Sequence, residues 1–255
     1  ADTFTGAGRR EMHLSILIET MRREGYEFQV SPPRVLYQEI DGKKCEPIEV
    51  MNVQVPENFA GRVIELASQH KGEMTNMMPK GDRMNLDFDI PARGLIGLRS
   101  AMLTATEGEA VMSHRFKDYE PWKGDMETHE VGALIAMETG TAVPYALWKL
   151  QDRGKFFVSP NEDVYMGEVI GENTRSNDIV LNINKTKHLT NVRASGSDDK
   201  IVLIPPVKMS LEEYMEYIRD DEYLEVTPKS LRLRKIILDE IERKRSGRRS
   251  EEVSD

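Results

Sequence analysis

The strictest alternation in the chain runs through Met84, Leu86, Phe88 and Ile90, with Asn85, Asp87 and Asp89 in the intervening places. A two-residue period is that of a strand with one buried face, so a strand is predicted here with its Asp pair toward solvent. Met51, Val53 and Val55 alternate in the same way. Phe59, Val63, Leu66 and Ala67 then recur at helical spacing, in a segment opened near Pro56 and stopped by Gly72. Residues 73–79 read as a second strand, and Lys80-Gly81-Asp82 as the turn into the third. After Pro91, Leu95, Leu98 and Met102 mark one face of a second helix, and residues 110–116 return as a fourth strand.

The order βαββαβ predicts a four-stranded antiparallel sheet with two helices on one face, the ferredoxin-like split βαβ arrangement. Gly94 and Gly97 weaken the second helix, so they are expected to serve close helix packing or the approach of a phosphate to the helix start. Ahead of this unit, Met12, Ile16, Leu17 and Met21 keep helical spacing up to Gly25, and residues 26–30 alternate like a strand before Ser31-Pro32-Pro33. That is half of a two-layer α+β domain.

Beyond Trp122 the texture changes to short apolar runs and turns: VGALIAM, AVPYALWKL, and KFFV after Asp152-Arg153-Gly154. These predict a β-rich barrel or sandwich, with residues 201–204 as a further strand. Ser210 and Glu213 form a capping-box pattern before a helix that turns Tyr214, Met215 and Ile218 inward. Leu231 and Leu233, alternating with Arg232 and Arg234, favour a short strand, and IILDEIERKR a terminal helix. The expected class is α+β, divided into a half-domain at 1–40, the split βαβ unit at 46–122, a β-rich unit with a helix and a long loop at 123–245, and a polar tail at 246–255.

The long loop lies between Ile170 and Val202, GENTRSNDIVLNINKTKHLTNVRASGSDDK, with Arg175, Lys185, Lys187, His188 and Arg193 and no aromatic residue. Apart from IVLNI, which suits one strand, it lacks the periodicity that would bury it, and a loop of this length is usually functional or disordered. Its Asn, Thr, Lys and Arg donors suit phosphates, 2′-hydroxyls and base edges, and residues 194–196 let the backbone come close. The chain as a whole carries a net charge of −9, which opposes any general coating of RNA. Locally the sign reverses: between Lys229 and Arg249 nine cations, Arg232, Arg234 and Lys235 among them, face three acids, nine minus three giving +6.

With 39% hydrophobic and 31% charged residues among 255, the composition suits two or three globular units, and no apolar run approaches membrane-spanning length. No basic and apolar leader follows Ala1, and the single Cys45 excludes an intrachain disulfide and fits a reducing cytoplasm. There is no G-x-x-x-x-G-K-[ST] loop for nucleotide phosphates and no G-x-S-x-G elbow. Cys45, in a polar and turn-like GKKCEP setting, has no nearby His to activate it. His13, His70, His114, His129 and His188 are scattered without metal-ligand spacing. RGKFFV is a loose likeness of an RNA-stacking strand, but Lys155 stands at an aromatic position, so a core strand is expected. Neither a catalytic residue nor a metal ligand is predicted.

Three stretches carry a family likeness: GRREMHLSILIETMRREGYE, IPARGLIGLRSAMLTAT and TRSNDIVLNINKTKHLTNVRASGSDD. Together they resemble the BipA/TypA family of translational GTPases along almost the whole chain. One departure is Arg10, where the family's S-G-R-G-E-L-H-L has glycine. The resemblance implies a carboxy-terminal portion: the end of domain III, a domain V like that of elongation factor G, and a family-specific C-terminal domain. GTP and magnesium would belong to a GTPase domain outside this chain, so no cofactor is expected here. It further implies a cytoplasmic, monomeric, non-catalytic module bound to the ribosome, with large-subunit RNA, A-site tRNA and ribosomal proteins as partners and roles in large-subunit assembly and stress-adapted translation. The long loop would reach the A-site tRNA.

On that basis the RNA-binding candidates are Arg175, Ser176, Asn177, Lys185, Lys187, His188, Thr190, Asn191, Arg193, Ser195, Arg232, Arg234 and Lys235. Lys185, Lys187 and Arg193 suit phosphates, while Asn177, Thr190 and Asn191 suit directional hydrogen bonds. The alternative is a scaffold whose acidic faces bind ribosomal proteins or assembly factors without touching RNA.

Overall fold

The computed structural model describes residues 4–6, 11–126, 131–185 and 202–252. The chain begins with α1 (Glu11–Arg23), β1 (Phe28–Val30), β2 (Gln38–Ile40), β3 (Lys43–Pro56), α2 (Ala60–Gln69), β4 (Glu73–Lys80), β5 (Arg83–Pro91), α3 (Leu98–Ala105) and β6 (Val111–Pro121). It continues with β7 (Ala133–Ala136), β8 (Gly140–Thr141), α4 (Pro144–Leu150), β9 (Gly154–Phe156), β10 (Asp163–Val164), β11 (Val169–Asn173) and β12 (Ile179–Leu181). The last elements are α5 (Leu211–Tyr217), β13 (Glu222–Val226), β14 (Leu231–Lys235) and α6 (Glu240–Glu252). They divide into two units, residues 33–128 and residues 1–32 with 129–255.

In the first unit the antiparallel order is β6-β3-β5-β4, with β2 folded back on the start of β3. This is the split βαβ topology that the alternation predicts. Met51, Val53, Val55, Leu86, Phe88 and Ile90 are wholly buried on one face, against Val63, Leu66 and Ala67 of α2 and Leu98 and Met102 of α3. Gly94 lies so close to the His70 carbonyl that a Cβ has no room, and its own carbonyl meets His70 Nδ1 at 2.7 Å, which is the packing role expected of it. Gly97 differs from expectation: at φ +73° it sits in the left-handed region and separates a 3-10 turn at Ala92–Leu95 from α3, where one continuous helix was expected. Cys45 also differs, because it is buried within β3 and not in a polar turn.

The second unit is built around the sheet β12-β7-β11-β9, in which β12 runs parallel to β7 and the other pairs are antiparallel. Its strand β7 is buried at every position because both faces are covered. Leu134 and Ala136 join Phe156, Ile170 and Leu147 of α4 on one face. Ala133 and Ile135 join Val169, Phe157, Leu211, Met215, Leu224 and Leu233 on the other. The second face is roofed by α5 and by the antiparallel sheet β1-β13-β14. α5 starts on the expected capping box, with Glu213 N donating to Ser210 Oγ and Ser210 N to Glu213 Oε2.

Three expectations change here. The segment AVPYALWKL is not a strand but the short helix α4, whose Pro144 occupies the first turn where a missing N–H costs nothing. Residues 202–204 are not a strand either; Ile204 N and the Val202 carbonyl bond the side chain of Gln151. The separate half-domain expected at 1–40 also gives way. β1 pairs with β13, and Ile18 of α1 enters the core with Tyr214, Met215 and Ile218, so residues 1–32 group with 129–255. Edge hydrogen bonds and an apolar helix face are satisfied there by elements nearly two hundred positions along the chain.

Candidate nucleic-acid interface

Where β11 ends, the backbone makes a tight excursion before β12. Gly132 N donates to the Arg175 carbonyl at 2.6 Å and Asn173 N to the Gly132 carbonyl at 2.7 Å, and the Asn177 carbonyl comes so close to Gly132 that a Cβ there has no room. Asn173 is buried and donates its side-chain amide to the Asn177 carbonyl at 2.5 Å. The consequence is that Arg175, Ser176 and Asn177 stand at an exposed bend with side chains outward. Asn177 adds a long contact to the Asp178 carbonyl at 3.5 Å.

Asp178 anchors the bend. Its Oδ1 accepts from Ala133 N at 2.7 Å, its Oδ2 lies 2.8 Å from Lys235 Nζ, and Arg219 Nη1 is 3.7 Å away. Lys235, 1% exposed, also meets Asp221 at 2.8 Å and Glu222 at 3.1 Å. Burial alone would push the Lys235 ammonium down, but Glu222, Asp178 and Asp221 outweigh it and hold its pKa above the ordinary lysine value. Burial would raise Asp178, yet Lys235, Ala133 N and Arg219 bring it below its ordinary value, while burial wins at Glu222 and pushes that carboxyl up. One buried cation thus ties the bend to the hairpin β13–β14 and to the turn after α5.

That arrangement corrects Lys235, and two further candidates are engaged within the fold. Lys235 cannot reach a phosphate, since its ammonium is enclosed by three carboxylates. Arg232 donates to the Asp163 carbonyl at 2.6 Å and pairs with buried Glu168 at 3.2 Å. Arg234 pairs with Glu225 at 3.3 Å and donates to the carbonyls of Lys235 and Ile236. Three of the nine cations behind the local count of +6 are thus matched by acids distant in sequence, six minus three leaving +3. The parity of β14 carried a warning, because Lys235 shares the inward face of Leu231 and Leu233. Arg219, Asp221 and Glu222, which complete the cluster, left no such signal in the sequence.

Lys185 is exposed just after Ile183, which is wholly buried and accepts from Val143 N at 2.8 Å. Lys187, His188, Thr190, Asn191, Arg193 and Ser195 lie outside the described residues, as does Arg10. The structure therefore brings Arg175, Ser176 and Asn177 together on one bend and places Lys185 beyond β12. Elsewhere, the open face of the first unit's sheet carries Asn52 bonded to Asp87 at 2.6 Å and Lys117 paired with Asp89 at 2.8 Å, an acid-rich surface unsuited to phosphate. Among the described residues no group of three acids, histidines or cysteines could hold a metal ion, and no helix is long and apolar enough to cross a membrane.

Both units have counterparts in known families. Residues 43–129 match the elongation factor G C-terminus, and residues 131–240 match the TypA/BipA C-terminal domain. The chain belongs to the TypA/BipA family. A protein of Haemophilus influenzae named large ribosomal subunit assembly factor BipA is 48% identical over 255 residues, covering 99% of this chain and 41% of its own length. Proteins of the same name from Synechocystis sp. and Salmonella typhimurium are 48% and 47% identical over 92% and 99% of this chain, and over 40% and 42% of their own lengths. The chain thus spans about two fifths of the TypA/BipA relatives it matches. The TypA/BipA C-terminal domain match starts at Val131 and includes the Asp178 anchor, the exposed bend and the hairpin that holds them.

Proposed function

We propose that this chain is a non-catalytic, ribosome-docking carboxy-terminal region of a TypA/BipA-type translational GTPase, whose second unit reads ribosomal RNA and tRNA through the bend at 175–177 and the segment from Lys185 onward. The observation that carries the reading is the bend itself: exposed Arg175, Ser176 and Asn177 are held on a rigid base by a buried ion cluster and by Asn173. A backbone already held at the bend loses little entropy when the side chains it carries meet RNA. The relatives' name supports a role in large-subunit assembly. In the intact protein, GTP and magnesium belong to a domain outside these residues, and the working compartment is the cytoplasm, with the protein a monomer.

The test is co-sedimentation of the chain with purified large ribosomal subunits across a salt series, beside variants carrying Arg175→Glu and the triple change at Lys185, Lys187 and Arg193. Binding that weakens with salt, and a shallower dependence in the variants, is the expected result, since each phosphate contact contributes about 0.9 to the logarithmic slope. Salt-insensitive binding that the charge reversals leave unchanged would instead favour docking on ribosomal or assembly proteins. Absence of binding would refute the chain as an independent docking module.

A further inference from the structure

The short helix α4 carries two half-buried aromatic residues, Tyr145 and Trp148, beside the exposed Lys149. Ala146 and Leu147 are buried and Leu150 packs inward, which leaves Tyr145, Trp148 and Lys149 together on the opposite side at the i, i+3, i+4 spacing. The two rings are 5.9 Å apart and tilted by 41°, and the exposed Lys149 ammonium stands 5.8 Å from the Tyr145 centroid and 5.6 Å from that of Trp148. A Trp and a Tyr beside a solvated cation form a surface on which a planar ring can stack while its phosphate meets the ammonium.

The position of α4 argues for what that ring is. At its N-terminal end Val143 N donates to the Ile183 carbonyl. In its alternative amide orientation, Asn184 accepts from Gly140 N and Thr141 N at 3.1 and 3.3 Å. At its C-terminal end Gln151 bonds Val202 and Ile204. The chain on both sides of residues 186–201, which carry Lys187, His188 and Arg193, is therefore fastened to the two ends of one helix about 10 Å long. Past α4 the surface stays cationic, with exposed Arg153 and Lys155 against Asp152.

We propose that Tyr145, Trp148 and Lys149 form a stacking platform for one unpaired RNA nucleotide, the base on the rings and the phosphate at Lys149. This rests on the RNA-reading function proposed above and adds a site that accepts any base, because every base has a π-face. It predicts preference for single-stranded over duplex RNA at this point.

The chain has two tryptophans, so Trp122→Phe leaves Trp148 as its only reporter. In that background, titration with an unstructured twelve-nucleotide RNA should quench Trp148 emission saturably, and the same sequence as a duplex should not. Measured by RNA fluorescence anisotropy, Trp148→Leu should weaken binding by about 5- to 150-fold with an unchanged salt slope, whereas Lys149→Gln should lower the slope by about one contact. The quenching experiment needs no change at Trp148, so a folding defect in Trp148→Leu cannot mimic the result. RNA binding with unaltered Trp148 emission and full affinity in Trp148→Leu would overturn the platform and leave the interface at 175–177 standing. Trp148 emission that responds to purified ribosomal proteins but not to RNA would overturn it in favour of a protein contact. If neither the oligonucleotide nor large subunits bind, the RNA-reading function falls, and the platform with it.

Discussion

Replacing Lys235 with Met tests whether this lysine is a structural cation or a phosphate contact. Methionine keeps much of the aliphatic bulk and removes the charge. Asp221, with a side chain 62% exposed, rehydrates readily, and Asp178, 38% exposed, keeps Ala133 N and Arg219. Glu222 is wholly buried and retains only the Arg219 backbone amide, at 3.2 Å. Almost all of the penalty therefore falls on one carboxylate, and removing a single partner from a buried pair costs about 3–5 kcal/mol. Urea unfolding of the Trp122→Phe background, followed by Trp148 emission, reads this unit alone. Combining Lys235→Met with Glu222→Gln should recover more than half of the loss, because no buried charge is then left without its counter-ion. The salt slope of large-subunit binding should not move. A stability loss below about 1 kcal/mol together with a slope reduced by about one contact would refute the assignment and return Lys235 to the candidate phosphate contacts.

Glu168, buried beside Arg232, has its carboxyl raised from 4.5 to about 7, chiefly by burial. Its proton is held more tightly in the folded state, so its contribution to stability is full below pH 4.5 and is lost as pH rises through 7. Glu168→Gln should gain about 2 kcal/mol relative to the parent between pH 5 and pH 8, and a difference that stays flat over that range would contradict the burial argument. Gly94→Ala should destabilise the first unit by about 1–3 kcal/mol in thermal melts, because the added methyl meets the His70 carbonyl and the backbone must shift. Ser210→Ala removes the cap of α5 and should cost about 1 kcal/mol in urea titrations, with Ser210→Asn close to neutral.

Local pattern decided the elements that have one buried and one solvated face. Met84 to Ile90, the α2 stripe and the Ser210 cap each encode their structure within a few residues, so the split βαβ unit and α5 were legible in order and in facing. The family likeness, carried by three short stretches, was legible for the same reason: motifs are contiguous. α4 was not, because Ala146, Leu147 and Leu150 make too short an apolar stripe to distinguish a two-turn helix from a strand.

What only the tertiary structure decided is partnership over long separations. β1 finds β13, and Ile18 finds the core around α5, although nothing within residues 1–40 names either partner. Arg232, Arg234 and Lys235 look in sequence like a basic patch and are in fact paired within the fold with Glu168, Glu225, Asp178, Asp221 and Glu222. The sequence by itself determined where polar and cationic donors are plentiful. The fold determined which remain free, because a charge is available to a ligand only if no closer counter-ion, brought in from elsewhere along the chain, already holds it.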